Sequence, residues 1–503
     1  MPYPVKNPRF HLVFWTRLCR LPVWKRVLIA AFLLPFLLVG GTAGAFYLRL
    51  HQNARAASVS ELPLFPSPQK NKHYLILAPH CDDETLAVGG FIADARAKGA
   101  TVSVAFLTNG DGFRVAATRE LKAVTVSPGD FVRFAVIRQA EAKRALQTLG
   151  VKPGDTYFLG YPDRGLRPMW EKNWTTPYRS YYTGHTRSPY LLTYTPHTPY
   201  TGQSLQNDLL KLMNAVRPTD VFVTHPGDDH PDHAASASFA QAALHAAKQT
   251  KAPWADTVRT HYYIVHRGDW PLPQGKYPGA NLTPPAGLMT TDTAWRVYLL
   301  SPEAEAAKNA ALSRYVSQLN ICNRFLTSFV RTNELFGEMQ TSVLPPETGS
   351  TTNDGWTTLG VGGSRDDVMR YVDPGADISK VCVQRRDGNK IAVRVTLRGA
   401  ADTSRIRYSV QVGGGGAVQT VPLPEPDGKG SRILTVVVPV TPAPSGMIWV
   451  AAETRYRGTA KIPMRPVDRL GYNPLVWVLS KKSENYSIIS DGFRERDGTG
   501  IMK

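Results

Sequence analysis

Between Tyr74 and Lys248 short apolar runs alternate with longer stretches of helical period. The runs predict strands at Tyr74–Ala78, Thr101–Leu107, Asp155–Leu159 and Asp220–Thr224. The stretches between them predict helices at Glu84–Lys98, Asp130–Leu149, Leu205–Val216 and Pro231–Lys248. Continuously apolar strands that alternate with helices of this length predict an α/β fold on a Rossmann-like, doubly wound parallel sheet, with sites at the strands' carboxyl ends. The alternation stops over 164–202. There Trp170, Trp174, Tyr178, Tyr181, Tyr182, Tyr190, Tyr194 and Tyr200 crowd a loop rich in Pro, Thr and Ser, with Arg164, Arg179 and Arg187 among them. Loops of this length are usually functional or disordered, and the aromatic content argues against disorder. Two readings stay open: Trp170 and Trp174 stack on sugar rings as a substrate-binding insertion, or the aromatics pin the loop to the body.

Ser301–Glu338 reads as helical, and the Gly-rich stretch Gly355–Ser364 as a boundary. Beyond it the period shortens. Lys380–Gln384, Lys390–Leu397, Arg405–Val412, Ile433–Val440 and Met447–Ala452 read as strands, with Asp387-Gly-Asn and Asp427-Gly as turns. A run of strands without helices predicts a C-terminal β-sandwich domain. The tail carries one apolar patch, Pro474–Leu479.

At the other end, Lys6, Arg9, Arg17, Arg20, Lys25 and Arg26 precede an apolar segment from Val27 to Leu48, long enough at ~20 residues to cross a bilayer. The basic flank predicts a single-pass transmembrane anchor in the cytoplasmic membrane, N-terminus inside, with the rest of the chain extracytoplasmic. A cleaved signal peptide is the alternative, because Thr42-Ala-Gly-Ala45 imitates a cleavage site. The expected organisation is a basic N-terminus (1–26), a span (27–48), a linker (49–71), an α/β domain (72–354), a sandwich (365–470) and a tail (471–503).

Two polar turns follow predicted strands directly. The first is His80-Cys81-Asp82-Asp83-Glu84; the second is His225-Pro-Gly-Asp-Asp-His230-Pro-Asp-His233. Imidazole and carboxylate together suit Zn2+, and a catalytic zinc needs three protein ligands and one open position. Adjacent carboxylates in one turn repel unless a proton or cation intervenes. Taken alone, the first turn reads equally as a polar loop that caps a helix. Two strand ends with His/Asp clusters, able to face each other across a parallel sheet, favour the metal.

The pattern His80-x-Asp-Asp-Glu84 followed by Gly89-Gly90, with the later His230-Pro-Asp-His233, resembles the LmbE/PIG-L family of zinc-dependent N-acetylglucosaminyl deacetylases. Further pieces agree in order: Thr108-Asn-Gly-Asp-Gly112, Arg138-Gln-Ala-Glu141 ahead of Leu149-Gly150, Leu159-Gly-Tyr-Pro-Asp163, and Lys308 with Tyr315-Val-Ser-Gln318. The resemblance spans about Lys72 to Phe336. It implies a deacetylase-like fold closed by the segment around Lys308 and Gln318. It also implies zinc ligands His80, Asp83 and His233, a general base Asp82, and His230 as the group that stabilises the oxyanion or protonates the leaving amine, with Asp232 tuning its charge. Arg138 and Asp163 join Trp170 and Trp174 as substrate-binding candidates. Cys81 stands where the family usually has proline.

The chemistry of amide hydrolysis asks for these residue types: an activated water, charge stabilisation at the tetrahedral oxygen and a proton for the amine. The expected activity is therefore removal of acetyl groups from N-acetylated amino sugars in a surface glycan, exopolysaccharide or glycoconjugate. The alternatives are a non-catalytic glycan-binding protein on the same fold and a zinc amidase for another amide.

Composition changes the picture little. The chain has 503 residues and a formal net charge of +19, which raises nucleic acid as a partner. The basic residues are spread out and no nucleic-acid-binding motif is present, so none is expected as a partner. Of Cys19, Cys81, Cys322 and Cys382, only Cys322 and Cys382 are placed to form a bridge.

Overall fold

In the computed structural model the chain divides into two compact units, Met1–Ala57 and Ser58–Lys503. The described residues are 59–477 apart from 268–269, 278, 286–292, 340–342, 345–354, 362–372, 415–416, 426–427, 429, 441–446, 459–465 and 471–473, together with scattered positions between 22 and 44.

The larger unit opens with β1 (His73–Ala78), whose burial is nearly complete, and runs through α1 (Asp83–Ala97), β2 (Thr101–Thr108), α2 (Arg114–Glu120) and α3 (Pro128–Thr148). Ser127 and Asp130 close a reciprocal capping box at the start of α3, with Pro128 inside its first turn. Next come β3 (Thr156–Tyr161), α4 (Leu166–Glu171), α5 (Gly202–Val216), β4 (Asp220–Thr224), α6 (Pro231–Gln249) and β5 (Arg259–Tyr263). β6 (Ala294–Leu299), α7 (Pro302–Leu312), α8 (Val316–Thr327) and β7 (Asn333–Glu338) complete this half.

The strands form one seven-stranded sheet in the order β3-β2-β1-β4-β5-β7-β6. From β3 to β5 neighbours pair in parallel, but β7 pairs antiparallel with both β5 and β6. The sheet is therefore mixed, which corrects the expected all-parallel sheet. The reason is local: Asn333–Glu338 reads as helix because Glu334 interrupts its apolar pattern, yet that carboxylate is buried. Lys308 Nζ lies 2.7 Å from it, and the backbone N–H groups of Gly90 and Phe91 donate to it at 2.8 and 2.9 Å. A paired, hydrogen-bonded charge of this kind can occupy a central strand.

The expected membrane-spanning helix, and with it the single-pass localisation, is also corrected. No helix among the described residues is long and apolar enough to cross a membrane. A crossing needs about 20 consecutive apolar helical residues. Most of Val27–Leu48, like Cys19, lies outside the described residues. Nor does the proposed bridge form: Cys322, on α8, and Cys382, in the C-terminal part, are both free.

The C-terminal part continues with β8 (Val343–Leu344), β9 (Thr357–Val361), β10 (Ile378–Arg386), β11 (Lys390–Leu397), β12 (Ile406–Gly414), β13 (Ala417–Pro422), β14 (Ile433–Pro439), β15 (Met447–Tyr456), β16 (Pro466–Leu470) and β17 (Pro474–Trp477). One sheet runs β14-β11-β10-β9; another runs β13-β12-β15-β17-β8, with β16 beside β15. Both are antiparallel except at β17 and β8. Val381, Val393 and Val395 of the first share a core with Val410, Ile448 and Val450 of the second. Strand β15 buries both faces. Its alternate residues Trp449 and Ala451 join a different core, with Leu209 of α5 and Phe239 and Leu244 of α6. Period-two alternation thus makes one strand part of two interiors.

The segment read as a linker also packs: Phe65 is buried against Phe91, Phe222 and Phe336, and its N–H donates to Val297 at 2.7 Å. The 164–202 stretch is ordered by its aromatics. Tyr190 and Tyr200 are buried, the Tyr190 hydroxyl donates to Asp111 at 3.0 Å, and the Tyr178 N–H donates to Tyr200 at 2.8 Å.

Candidate metal centre

β1 ends at Ala78, and its next turn carries His80, Asp82 and Asp83 into the start of α1. β4, its hydrogen-bonded neighbour, ends at Thr224, and the loop that follows delivers Asp228, His230, Asp232 and His233 to the start of α6. Pairing of the two strands in one register brings the two turns together at the carboxyl edge of the sheet, across 153 residues of sequence.

Three donor atoms converge. His80 Nδ1 lies 3.0 Å from His233 Nε2, and Asp83 Oδ2 lies 3.3 Å from the first and 3.1 Å from the second. Ligands at ~2.0–2.1 Å around a tetrahedral ion stand about 3.3 Å apart. The opposite nitrogen of each imidazole faces carboxylate: His233 Nδ1 lies 3.2 Å from Asp228 Oδ2, and His80 Nε2 lies 3.4 Å from both Asp163 Oδ1 and Asp232 Oδ2. His80 Nε2 is buried and makes no hydrogen bond at these distances. Carboxylates behind ligating imidazoles fix the ring orientation and raise ligand basicity. His230, His233 and His80 form a second possible ligand group, as do Asp83, His233 and His266.

The charge balance points the same way. Burial alone lowers the His80 imidazole, but Asp163, Asp232 and Asp83 outweigh it and hold it well above its ordinary value. His233 is raised to about 9: burial opposes, and Asp228 and Asp83 prevail. Asp83 is held well below the carboxylate range by His233 and His80 despite its burial. The cluster thus asks for positive charge where the three donors meet, and a divalent cation fits the donor set.

Around this triangle each remaining candidate has a definite place. Burial raises Asp82 to about 7, against the pull of Arg138, whose Nη2 lies 3.2 Å from Asp82 Oδ2. The backbone of Asp82 is held at φ 146°, a region L-residues rarely adopt, and such outliers persist where the surroundings over-determine them. Arg138 also donates to the Gly110 carbonyl at 2.8 Å and the Cys81 carbonyl at 2.6 Å. Position 110 must be glycine twice over: its φ is +63°, and a Cβ there would lie 1.7 Å from Arg138 Nη1. His230 caps α6, its Nδ1 accepting the Asp232 N–H at 3.3 Å; burial and the neighbouring imidazoles hold it well below its ordinary value. Asp232 turns away from His230, its carboxylate accepting the N–H groups of Arg164 at 2.5 Å and Leu166 at 3.1 Å. Cys81 is buried, and burial pushes its thiol well up.

Trp170 and Trp174 are not brought into the cluster. Trp170 is 4% exposed, and both rings pack against Phe239 of α6. Lys308 pairs with Glu334 and Tyr315 donates to Glu84, so these positions hold α7 and α8 against α1 rather than reach the donors. Two residues escaped the sequence reading. Asp228, whose Oδ2 also accepts the Val265 and His266 N–H groups at 2.9 and 3.0 Å, was visible as the acid upstream of His230. His266 follows the apolar run Tyr262–Val265, the same succession of strand and histidine seen twice before. Its ring centroid lies 4.9 Å from that of His233 and is stacked on Phe325, and burial and His233 lower it to about 4.

No curated protein matches the chain. Solved structures similar to it include the antimicrobial reagent A40926 pseudoaglycone deacetylase Dbv21, at 18% identity over 54% of this chain and 97% of that one, TM-score 0.33. Another is the N,N'-diacetylchitobiose deacetylase of Pyrococcus horikoshii, at 20% identity over 58% and 91%, TM-score 0.34. A third is the 4-carboxy-2-hydroxymuconate hydratase of Pseudomonas putida, at 13% identity over 56% and 100%, TM-score 0.33. Residues 75–244 match the family described as PIG-L, GlcNAc-PI de-N-acetylase. That stretch, the PIG-L match, holds both turns of the donor triangle.

Proposed function

We propose that the protein is a zinc-dependent hydrolase that removes the acetyl group from an N-acetylglucosamine-type sugar in a glycan or glycoconjugate. The observation that carries this reading is the triangle of His80 Nδ1, His233 Nε2 and Asp83 Oδ2, with sides of 3.0–3.3 Å, beside the buried Asp82 carboxylate. These three residues would hold the ion. When bound, it supplies Lewis acidity that makes water a competent nucleophile near neutral pH and stabilises charge on the acyl oxygen.

The chain's own groups do the rest. Asp82 takes the proton of the attacking water, its carboxylate aimed by Arg138 and by its constrained backbone. As the C–N bond breaks, the same carboxyl returns the proton to the departing amine. The Nδ1 of His230 is occupied by the Asp232 N–H, so the neutral ring carries its proton on Nε2 and donates there to the developing oxyanion. This assigns His230 to charge stabilisation rather than to protonating the amine. Asp228, Asp163 and Asp232 keep the two ligand imidazoles oriented.

The test is acetate release from N-acetylglucosamine oligosaccharides by the full chain. The expected result is release that stops on chelation and returns with added Zn2+. A chain that binds stoichiometric metal yet frees no acetate from any N-acetylated sugar sinks the reading.

A further inference from the structure

Two exposed arginines, on the turns joined by the Gly112 N–H to Asp163 hydrogen bond, have no role in the chemistry above. Arg164 directly follows Asp163, and its backbone is held at φ 60° while its N–H is fixed to Asp232 at 2.5 Å. A left-handed backbone disfavours an L-residue, and glycine, present at the next position, would avoid it. Arg114 opens α2, just past the end of β2, its guanidinium 5.3 Å from the centre of the Phe131 ring. Tyr182 is close enough to feel both charges. Its ring is 5.2 Å from that of Phe131 and covers Gly112, where a Cβ would lie 2.4 Å from the tyrosine and 3.0 Å from Asp163 Oδ2. Arg164 and Arg114 are the charges that draw the Tyr182 hydroxyl back toward its ordinary value against its burial. Tyr181, 78% exposed, packs edge-on against Tyr182.

The interior behind this rim is acidic: Asp82, Asp83, Asp111, Asp163, Asp228 and Asp232 are all buried there. Such a pocket draws in a cation but repels an anionic substrate, and a basic rim reverses the field that an approaching molecule meets. We propose that Arg164 and Arg114, with Tyr182 as the platform beside them, bind an anionic group on the sugar next to the one that is deacetylated, so that the preferred substrate is an acidic amino-sugar chain. This rests on the deacetylase reading for the identity of the sugar. The shared chemistry is a carboxylate or a sulfate ester, and the two sources are separated by the probes.

The experiment compares four tetrasaccharides on the zinc-loaded full chain. They are alternating N-acetylglucosamine and glucuronic acid, the same compound with its carboxylates reduced to alcohols, chitotetraose, and chitotetraose 6-O-sulfate. Acetate release is measured alongside binding to the Asp82→Asn variant. The expected result is a preference of about tenfold for the acidic member of at least one pair, expressed in KM rather than kcat and weakened by salt. It should fall toward one in Arg164→Ala with Arg114→Ala, while Arg164→Lys keeps part of it. Which pair shows the preference names the anion. A ratio near one in the unaltered chain, or a ratio that the double substitution leaves in place, overturns the proposal. If no probe is turned over, the deacetylase reading fails by itself, and the binding ratios still decide the rim.

Discussion

Near the amino end of the seven-stranded sheet His261 lies between two carboxylates, Asp220 Oδ1 at 2.9 Å and Glu338 Oε1 at 3.6 Å; at the carboxyl end His80 lies among three. The inventories look alike, but their charge balance differs. At the amino end Asp220 meets Lys72 at 3.5 Å and Arg259 at 3.2 Å, and Glu338 meets Arg296 at 3.5 Å. At the carboxyl end Arg138 pairs with Asp82 at 3.2 Å, whereas Asp83, Asp163, Asp228 and Asp232 lie against imidazoles. A histidine between acids is thus no sign of a metal. The sign is a set of donors that face one another with their back sides already held by carboxylate.

That comparison can be broken in four ways, taken from the largest expected effect. His233→Ala should abolish stoichiometric metal binding and acetate release together, while His261→Ala leaves metal content at one ion per chain; atomic absorption on both proteins decides it. Asp82→Asn should keep the metal and lower kcat by about 10²–10⁴-fold, and an unchanged kcat would remove Asp82 from the proton path. Asp228→Asn should weaken metal affinity by about 10–100-fold, as loss of a carboxylate behind a ligand imidazole does; competition with a chelator reads it directly.

The smallest effect lies at the amino end. His261, Thr219 and Arg259 hold Asp220 at about 2 although burial opposes them. A depressed carboxylate stabilises the fold above its unfolded value of about 3.9 and loses that contribution as pH falls toward 2. Asp220→Asn should therefore lower the melting temperature at pH 7 by a few degrees, roughly 2–4 °C, and the two proteins should converge near pH 2. Equal melting curves at neutral pH would show that the network there carries no stability.

The sequence made the carboxyl end legible because strand and site chemistry adjoin there. His80–Asp83 and His230–His233 each follow an apolar strand at once, so one reading of periodicity gave both the element and its cargo. The mixed edge of the sheet was hidden by Glu334, whose charge is neutralised by Lys308 from a distant helix, a pairing that local pattern does not carry. Trp170 and Trp174 were left with two readings for a related reason. Composition marks aromatics as fit for sugar, and their packing against Phe239, edge-on for Trp170 and parallel for Trp174, is something composition does not carry. Asp228 was missed because an acid that serves another residue's ring has no spacing rule of its own. The apolar run at Val27–Leu48 was read by length, and no helix among the described residues is long and apolar enough to cross a membrane.

Strand β15, with Ile448 and Val450 on one side and Trp449 and Ala451 on the other, has a practical consequence for anyone who would shorten this protein. Cutting after β7 would strip an indole from helices α5 and α6 and leave oily ground beside Phe239 open to water. The shortened enzyme would be prone to clump in the tube even with every metal donor intact. The part of the chain after β7 covers the back of the α/β part through Trp449 and Ala451.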